Sequence, residues 1–376
     1  MATDDPGKPP ARVTISDVAA ALGVAVSTVS NAYNRPDQLS AQLRQRILAA
    51  ADELGYPGPN PVARSLRQQR ASAVGVLFAE RLSYAFSDPA AVQVLDGIAN
   101  ALEPEGLGLL LVPGRADDPT TVQRAMVDGF IVYSMLEDDP LVTAALHRRL
   151  PTVLIDQPPR AGIASITIDD VDGARQVAAH LLRLGHRHFA IITDRLSEQC
   201  SETEETGPRP LYVQAERTFF ATRRRFEGYR EALEAEGVAW EQVAIIECPD
   251  NSEADGAAAM RALLRLRARP TAVLCITDRL ALGALNAAQQ LGLAVPRDLS
   301  VVGFDDIPGA AGSTPPLTTI RQAHRQKGQL AGQMLVRGLR GEGAAEHTDL
   351  PVQLVVRSST GPAPANLLVE EQRSVS

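Results

Sequence analysis

The sequence predicts a small all-α head followed by an α/β body with two doubly wound lobes. Apolar residues at helical spacing form three stripes within residues 13–56, whereas from residue 72 onward short apolar runs alternate with longer amphipathic stretches. Continuous apolar runs are typical of parallel strands that helices cover on both faces. The length of 376 residues accommodates a head and a two-lobed body with a sizeable core.

The first predicted helix is short and sharply bounded. Thr14 and Asp17 have the capping-box spacing that satisfies free amides at a helix start, and Gly23 offers the positive φ that ends a helix. Its apolar stripe consists of Ile15, Val18, Ala19 and Leu22.

A second periodic run follows directly, from about Val26 to Asn34, with Val29 facing inward. This spacing indicates a helix-turn-helix, in which the second helix enters the major groove of DNA. A third helix is predicted from the N-cap Ser40 to Gly55. Its inward positions are Leu43, Ile47, Ala51 and Leu54. Packing alone leaves open a three-helix bundle that binds protein.

Several motifs of the head carry a specific resemblance. They are T-I-S-D-V-A, G-V-A-V-S-T-V-S, the N-R-P-D turn at residues 34–37, and A-A-D-E-L-G-Y followed by Asn60-Pro61. In this order the head resembles the lactose-repressor/galactose-repressor (LacI-type) family of bacterial transcription regulators. The resemblance implies double-stranded operator DNA as a partner.

Residues 60–67, N-P-V-A-R-S-L-R, resemble the hinge helix of that family. About two turns of helix are too short to be stable alone, and in the family this helix folds when two copies meet on DNA. The family's minor-groove wedge corresponds to Leu66, with Arg64 and Arg67 beside it. A plain linker with a chance leucine is the alternative.

The resemblance also implies which side chains touch DNA. Val26, Ser27 and Asn31 are expected to face base edges, and Asn31 stands where many members have Arg or His. Ala25 replaces the usual capping Ser. The complete predicted DNA-binding set is Thr14, Ser16, Val26, Ser27, Thr28, Asn31, Asn34, Arg64, Leu66 and Arg67. Two heads on a homodimer imply a pseudo-palindromic operator, and the tail shows no sustained heptad that would favour a tetramer.

The body alternates strands and helices. Strands are predicted at 73–78, 107–112, 129–133, 152–156, 189–193, 244–248, 272–276 and 300–304. Helices are predicted at 90–102, 173–184, 223–236, 254–266 and 280–291. This pattern indicates a doubly wound fold.

Eight blocks continue the family resemblance through the body. They are V-L-D-G-I-A-N-A-L, D-G-F-I-V-Y, V-L-I-D-Q, H-L-L-R-L-G-H-R, R-F-E-G-Y-R-E-A-L, L-A-L-G-A-L-N-A-A, L-S-V-V-G-F-D-D and P-P-L-T-T-I-R-Q. The family's body is periplasmic-binding-protein-like, with a ligand cleft between lobes. By analogy the chain crosses between lobes near Ile168, Phe304 and Arg321, and residues 321–338 are expected in the C-terminal lobe. The implied domains are a head at 12–58, a hinge at 59–70, a body at 71–360 and a polar tail at 361–376.

Candidate ligand residues follow strand ends, where open α/β sheets bind. Asp305 matches the family aspartate that accepts sugar hydroxyls; capping a turn beside Asp306 is the alternative. Arg225 matches an effector-contacting arginine, although residues 223–225 also suit a solvated helix start. The remaining candidates are Thr277 and Asp278 after another strand, and Tyr84 and Phe86, which would stack on a ring or simply pack. The Glu-rich insertion at 197–220 would cover the cleft or form a solvated loop.

Charge and composition exclude other classes of protein. Net charge is −8, yet residues 12–70 hold seven arginines against four acidic residues, as a specific DNA reader needs. Cys200, Cys248 and Cys275 are scattered, so neither a disulfide framework nor a zinc site is expected, and Cys248 and Cys275 suit burial. With no apolar span and no signal-peptide core, a cytoplasmic location is expected.

No apparatus for catalysis is visible. The sequence lacks a G-x-G-x-x-G after a strand, a phosphate-binding P-loop, a G-x-S-x-G elbow and an H-E-x-x-H motif. Neither a metal nor another cofactor is expected. The sequence therefore favours a homodimeric repressor controlled by a sugar-like effector. The alternatives are a constitutive DNA-binding regulator, a solute-binding protein and an α/β enzyme.

Overall fold

The computed structural model describes residues 13–59, 70–79, 82–113, 118–196, 219–343 and 345–365. The chain divides into a small unit, Met1–Ala71, and a large unit, Ser72–Ser376. The predicted hinge, with Arg64, Leu66 and Arg67, lies outside the described residues, as do Cys200 and nearly all of the insertion.

In residues 13–59 of the small unit, three helices pack around an apolar centre. These are α1 (Ile15–Leu22), α2 (Val26–Asn34) and α3 (Ala41–Glu53), with a 3₁₀ turn at Pro36–Gln38. Helices α1 and α2 meet at 112° across a short turn, the geometry of a helix-turn-helix. Val18, Val29 and Ile47 are fully buried between them.

The predicted helix boundaries of this unit are confirmed. The Asp17 carboxylate accepts hydrogen bonds from the Thr14 amide at 2.7 Å and the Thr14 hydroxyl at 2.8 Å. Gly23 has φ of 64° and ends α1. Ser40 Oγ accepts from the Leu43 amide and caps α3. The inward position of Leu54 is wrong: it is 40% exposed, because α3 ends at Glu53 and the helical periodicity ends with it.

The N-terminal lobe of the large unit is a six-stranded parallel sheet. Its strand order is β11-β5-β4-β3-β1-β2. The strands are β1 (Ala73–Phe78), β2 (Gly108–Pro113), β3 (Gly129–Tyr133), β4 (Thr152–Ile155), β5 (Ala164–Ile168) and β11 (His347–Leu350). Helices of this lobe are α4 (Tyr84–Ser87), α5 (Pro89–Leu102), α6 (Thr120–Arg124), α7 (Pro140–His147) and α13 (His324–Leu339).

The C-terminal lobe is a four-stranded parallel sheet in the order β7-β6-β8-β9. The strands are β6 (Phe189–Thr193), β7 (Ala244–Glu247), β8 (Ala272–Cys275) and β9 (Ser300–Val302). The helices are α8 (Asp170–Arg183), α9 (Phe220–Ala235), α10 (Glu253–Leu263), α11 (Asp278–Gln290) and α12 (Pro308–Gly312). A separate antiparallel pair joins β10 (Thr319–Arg321) to β12 (Gln353–Val355). The two-lobed α/β fold predicted from the sequence is therefore present.

One expectation about the crossings is wrong. After β10 the chain returns to the N-terminal lobe, because α13 packs along α5 and against β3, β4 and β5. A Cβ atom on Gly97 would lie 2.0 Å from the Arg325 carbonyl oxygen, and one on Gly328 would lie 2.0 Å from the Val94 carbonyl oxygen. These glycines let the two backbones touch.

Cys248 and Cys275 are free thiols and buried, as predicted. Among the described residues, no single helix is long and apolar enough to span a membrane. Only α1 and α2 taken together meet that length and composition, and they are bent at 112°.

Candidate ligand cleft and DNA-reading face

Helix α2 presents the predicted reading face. Val26 is 45% exposed and Ser27 is exposed, whereas Val29 and Ala32 are buried in the apolar centre of the unit. The N-cap is Ala25, which supplies no side-chain hydrogen bond. The first turn of α2 is thus open for contact with base edges.

Two asparagines of this set make contacts within the unit. Asn31 Nδ2 donates a long hydrogen bond of 3.4 Å to Gln38 Oε1, which leaves the side chain free to exchange partners. Asn34 Nδ2 donates to the Ser30 carbonyl at 3.0 Å, a contact within its own helix. Thr14 serves the α1 cap, Ser16 is exposed and Thr28 is half-buried.

The large unit contains a cavity of about 120 Å³ where the strand ends of both sheets meet. Phe78, Tyr133 and Asp156 come from the ends of β1, β3 and β4. Residues after β6, β7, β8 and β9 line the opposite side. The polar lining residues are Tyr84, Asp88, Tyr133, Ser134, Asp156, Asp194, Arg195, Thr222, Arg225, Asp250, Asn251, Thr277, Asp305, Gln322 and His324.

Of the six predicted effector residues, Tyr84, Arg225, Thr277 and Asp305 line this cavity. Phe86 does not, because its side chain is 68% exposed on the outer side of α4. Asp278 is fully buried behind the cavity, where it accepts hydrogen bonds from the Ile307 amide at 2.9 Å and from Thr319 Oγ1 at 2.5 Å. Burial raises the pKa of Asp278 to about 7.

Backbone geometry aims three side chains at the cavity. Ser134, Asp156 and Asp305 follow β3, β4 and β9 with φ of 47°, 53° and 129°, a region that non-glycine residues seldom adopt. Such conformations concentrate at functional sites, where the surrounding structure holds them. Strands β4 and β9 end at Ile155 and Val302, before the predicted ends at 156 and 304.

Arg225 is rigidly held. Its Nε donates to Asp170 Oδ1 at 2.8 Å, its NH1 donates to the Ile276 carbonyl at 2.7 Å, and the guanidinium carbon lies 3.8 Å from the Phe304 ring centroid. The side chain is 9% exposed, so the solvated helix start is excluded. Burial raises the pKa of Asp170 to about 6, although the Arg225 charge opposes the rise.

Asp305 connects to a buried polar chain. Its Oδ1 accepts from Gln322 Nε2 at 2.5 Å and lies 3.9 Å from Arg225 NH1 and from His324 Nε2. These contacts converge on one carboxylate oxygen. Burial raises the pKa of Asp305 well above its usual range, and Arg225 counteracts this.

His324 has both ring nitrogens buried and without a hydrogen-bond partner among the described residues. It lines the cavity and is 3% exposed. Burial holds the pKa of His324 well below 6.5, with Lys327 and Arg225 acting in the same direction. A buried polar group without a partner is costly, and a ligand hydroxyl would satisfy it.

The sequence interpretation missed Asp88, Asp156, Asn251, Gln322, His324 and Lys327. Asp156 follows the apolar run of β4, so the rule used for Asp305 could have found it. Asp88 precedes Pro89 as a helix cap. Gln322 and His324 lie after the short β10, which carries no periodic signal; only the fold brings them to the cavity.

The set suits a small polar molecule with several hydroxyl groups. Carboxylates accept hydrogen bonds from hydroxyls, while Arg225 and the Asn251 amide can donate to ring or hydroxyl oxygens. Phe78 and Tyr133 add apolar surface, and their rings meet edge to face at 5.6 Å.

Comparisons with known proteins agree with the predicted character of both the small unit and the large unit. Residues 14–60 match the family described as bacterial regulatory proteins, lacI family, and residues 178–360 match a periplasmic binding protein-like domain. An HTH-type transcriptional regulator of Mycolicibacterium smegmatis is 42% identical over 337 residues, covering 87% of this chain and 91% of that protein.

Two solved structures are similar over 93% of this chain and 100% of their own. The complex of the transcriptional regulator CelR with cellobiose is 30% identical with a TM-score of 0.65. The Lac repressor dimer bound to operator and the anti-inducer ONPF is 28% identical with a TM-score of 0.74.

Proposed function

Because this chain belongs to the lacI family of bacterial regulatory proteins and is a transcriptional regulator, we propose that a sugar-like molecule in the cleft switches its affinity for DNA. The family match confirms the resemblance found in the sequence. The relatives are named transcriptional regulators, which confirms that the chain is not an enzyme.

The observation that carries the proposal is the acceptor arrangement at Asp305. Gln322 Nε2, Arg225 NH1 and His324 Nε2 all lie beside Asp305 Oδ1 and not beside Oδ2 in the contacts described above. The carboxylate can therefore accept ligand hydroxyls through Oδ2, beside the unpartnered His324 and the held guanidinium of Arg225. CelR, of similar fold, has been solved with cellobiose. A constitutive regulator would have no need of this buried polar cluster.

The protein binds a pseudo-palindromic operator as a homodimer and acts as a cytoplasmic repressor. The exposed Val26 and Ser27 support major-groove reading by α2, and the similar Lac repressor was solved as a dimer on its operator.

A thermal-shift screen of neutral sugars, polyols, nucleosides and sugar phosphates, with cellobiose included, tests the ligand. A compound at 100 times its Kd stabilises the protein by about 2.7 kcal/mol. Operator binding with and without the compound then separates an inducer from a corepressor. If none of these compounds shifts the Tm, a constitutive regulator is the better description.

A further inference from the structure

Lys327 on α13 is fully buried, which is rare for a lysine. Its Nζ donates to both carboxylate oxygens of Asp156, at 2.9 and 2.7 Å, and to Gln322 Oε1 at 2.8 Å. Three acceptors match the three protons of an ammonium group, so the group is saturated.

This arrangement decides which way the Gln322 amide points. An ammonium group only donates hydrogen bonds, so it takes the amide oxygen. The NH₂ end then faces Asp305 and donates to Oδ1 at 2.5 Å. A reversed amide would place a donor against Lys327 and an acceptor against Asp305, losing both hydrogen bonds.

We propose that Lys327 is a positioning residue for ligand recognition, which locks the Gln322 amide so that Asp305 is held as an acceptor for the hydroxyl groups of an uncharged polyhydroxy ligand. The inference rests on the proposed function for the identity of its ligand. The orientation of the Gln322 amide by Lys327 is a property of the protein without ligand and can be tested there. Lys327 does not line the cavity and acts through Gln322.

A structural ion pair with Asp156 would be the simpler role. A buried ion pair contributes little net stability, since desolvation offsets the attraction, but removing one partner is strongly destabilising. If Lys327 served only as the ion-pair partner of Asp156, its hydrogen bond to Gln322 would have no role. The two roles predict different results when both charges are removed together.

The experiment uses full-length protein labelled with ¹⁵N-glutamine. Gln322→Glu deletes one side-chain amide signal and thereby assigns it. In the wild type we expect these protons to be protected from exchange, because they face a buried carboxylate. In Lys327→Met the signal should shift and lose protection. The matched control is Arg325→Met, which removes an exposed positive charge from the same helix.

A double variant separates positioning from stability. Asp156→Asn with Lys327→Met leaves no buried charge unpaired, and Asn tolerates the positive φ of Asp156. We expect its Tm to recover relative to Lys327→Met while the Gln322 signal stays altered. Because Asp156 itself lines the cavity, cellobiose affinity is measured by calorimetry in Lys327→Met, where we expect it to fall at least about tenfold below wild type and below Arg325→Met.

An unchanged Gln322 signal in Lys327→Met overturns the inference, and so does a return of that signal to its wild-type position in the double variant. If the wild type does not bind cellobiose, the ligand assignment fails for that sugar, but the amide signal still decides whether Lys327 locks Gln322.

Discussion

The phenol oxygen of Tyr84 accepts a hydrogen bond of 2.8 Å from Asn251 Nδ2. Tyr84 belongs to the N-terminal lobe and Asn251 to the C-terminal lobe, so the bond crosses the cleft. Asn251 Oδ1 in turn accepts from Thr277 Oγ1 at 2.6 Å, and Thr277 caps α11. The contact therefore ties one lobe to the first turn of a helix in the other.

Tyr84→Phe should weaken ligand binding, because it removes the hydrogen bond between the two lobes. It removes the bridging hydroxyl but keeps the ring, over which the Arg279 guanidinium lies at 5.5 Å. Loss of the hydrogen bond to Asn251, of about 0.5–1.5 kcal/mol, predicts that the affinity for a compound found in the thermal-shift screen falls by up to about tenfold. Calorimetry measures it. Phe86→Ala, which changes an exposed aromatic residue, is the control. Equal affinities in the wild type, Tyr84→Phe and Phe86→Ala would show that the Tyr84–Asn251 hydrogen bond does not contribute to ligand binding.

Asp305→Asn should abolish most ligand affinity, because charge-assisted hydrogen bonds contribute about 1.5–3 kcal/mol each. Asn is chosen because it tolerates positive φ better than Ala. Ligand binding and DNA binding are coupled reciprocally. If the ligand is an inducer, this variant should stay on its operator at concentrations that release the wild type. If the ligand is a corepressor, the variant should fail to bind operator. Fluorescence anisotropy with labelled operator checks this. A normal response would place the ligand elsewhere.

Exchanging Ser27 or Asn31 for Ala should change the preferred operator bases, at about 1–3 kcal/mol for each lost bidentate contact. Selection from random DNA measures the preference. Gln45→Ala, an exposed change on α3, serves as control. An identical preferred site in wild type and both variants would show that another face of the unit reads DNA.

Leu66→Ala tests the hinge predicted from sequence. We expect much weaker specific operator binding, with the Tm of the large unit and ligand binding unchanged. Nonspecific DNA binding depends on phosphate contacts and should change much less. Gel-shift titrations on operator and random duplexes compare the two; unaltered operator affinity would rule out a minor-groove wedge.

Asp170 should make stability depend on pH. Folding raises its pKa from 3.8 to about 6, so the folded state holds the proton more tightly. Its contribution is complete below about pH 3.8 and is lost as the pH rises through 6, a change on the order of 3 kcal/mol. Urea unfolding between pH 4 and 7 should show a flatter profile for Asp170→Asn. Asp172→Asn, an exposed carboxyl on the same helix, is the control, and parallel profiles for wild type and Asp170→Asn would contradict the assignment.

Local sequence patterns were sufficient to predict the helices and strands and some of the residues that line the cleft. The end of α1 at Gly23 and the cap of α3 at Ser40 depend on neighbours within four residues, so both can be predicted from the sequence. Asp305 and Thr277 were found because the ends of parallel strands meet at one edge of a sheet. Phe86 was misplaced because spacing does not show which side of a four-residue helix faces the cavity.

What the sequence by itself determined was the order of strands and helices, the helix-turn-helix and the family. The tertiary structure decided which lobe α13 covers, and with it the positions of Gln322, His324 and Lys327. That choice depends on the close approach of Gly97 and Gly328, which are more than 200 residues apart in the chain. The contact between Lys327 and Asp156 has the same origin, since a buried charge is tolerated only where folding brings it a partner.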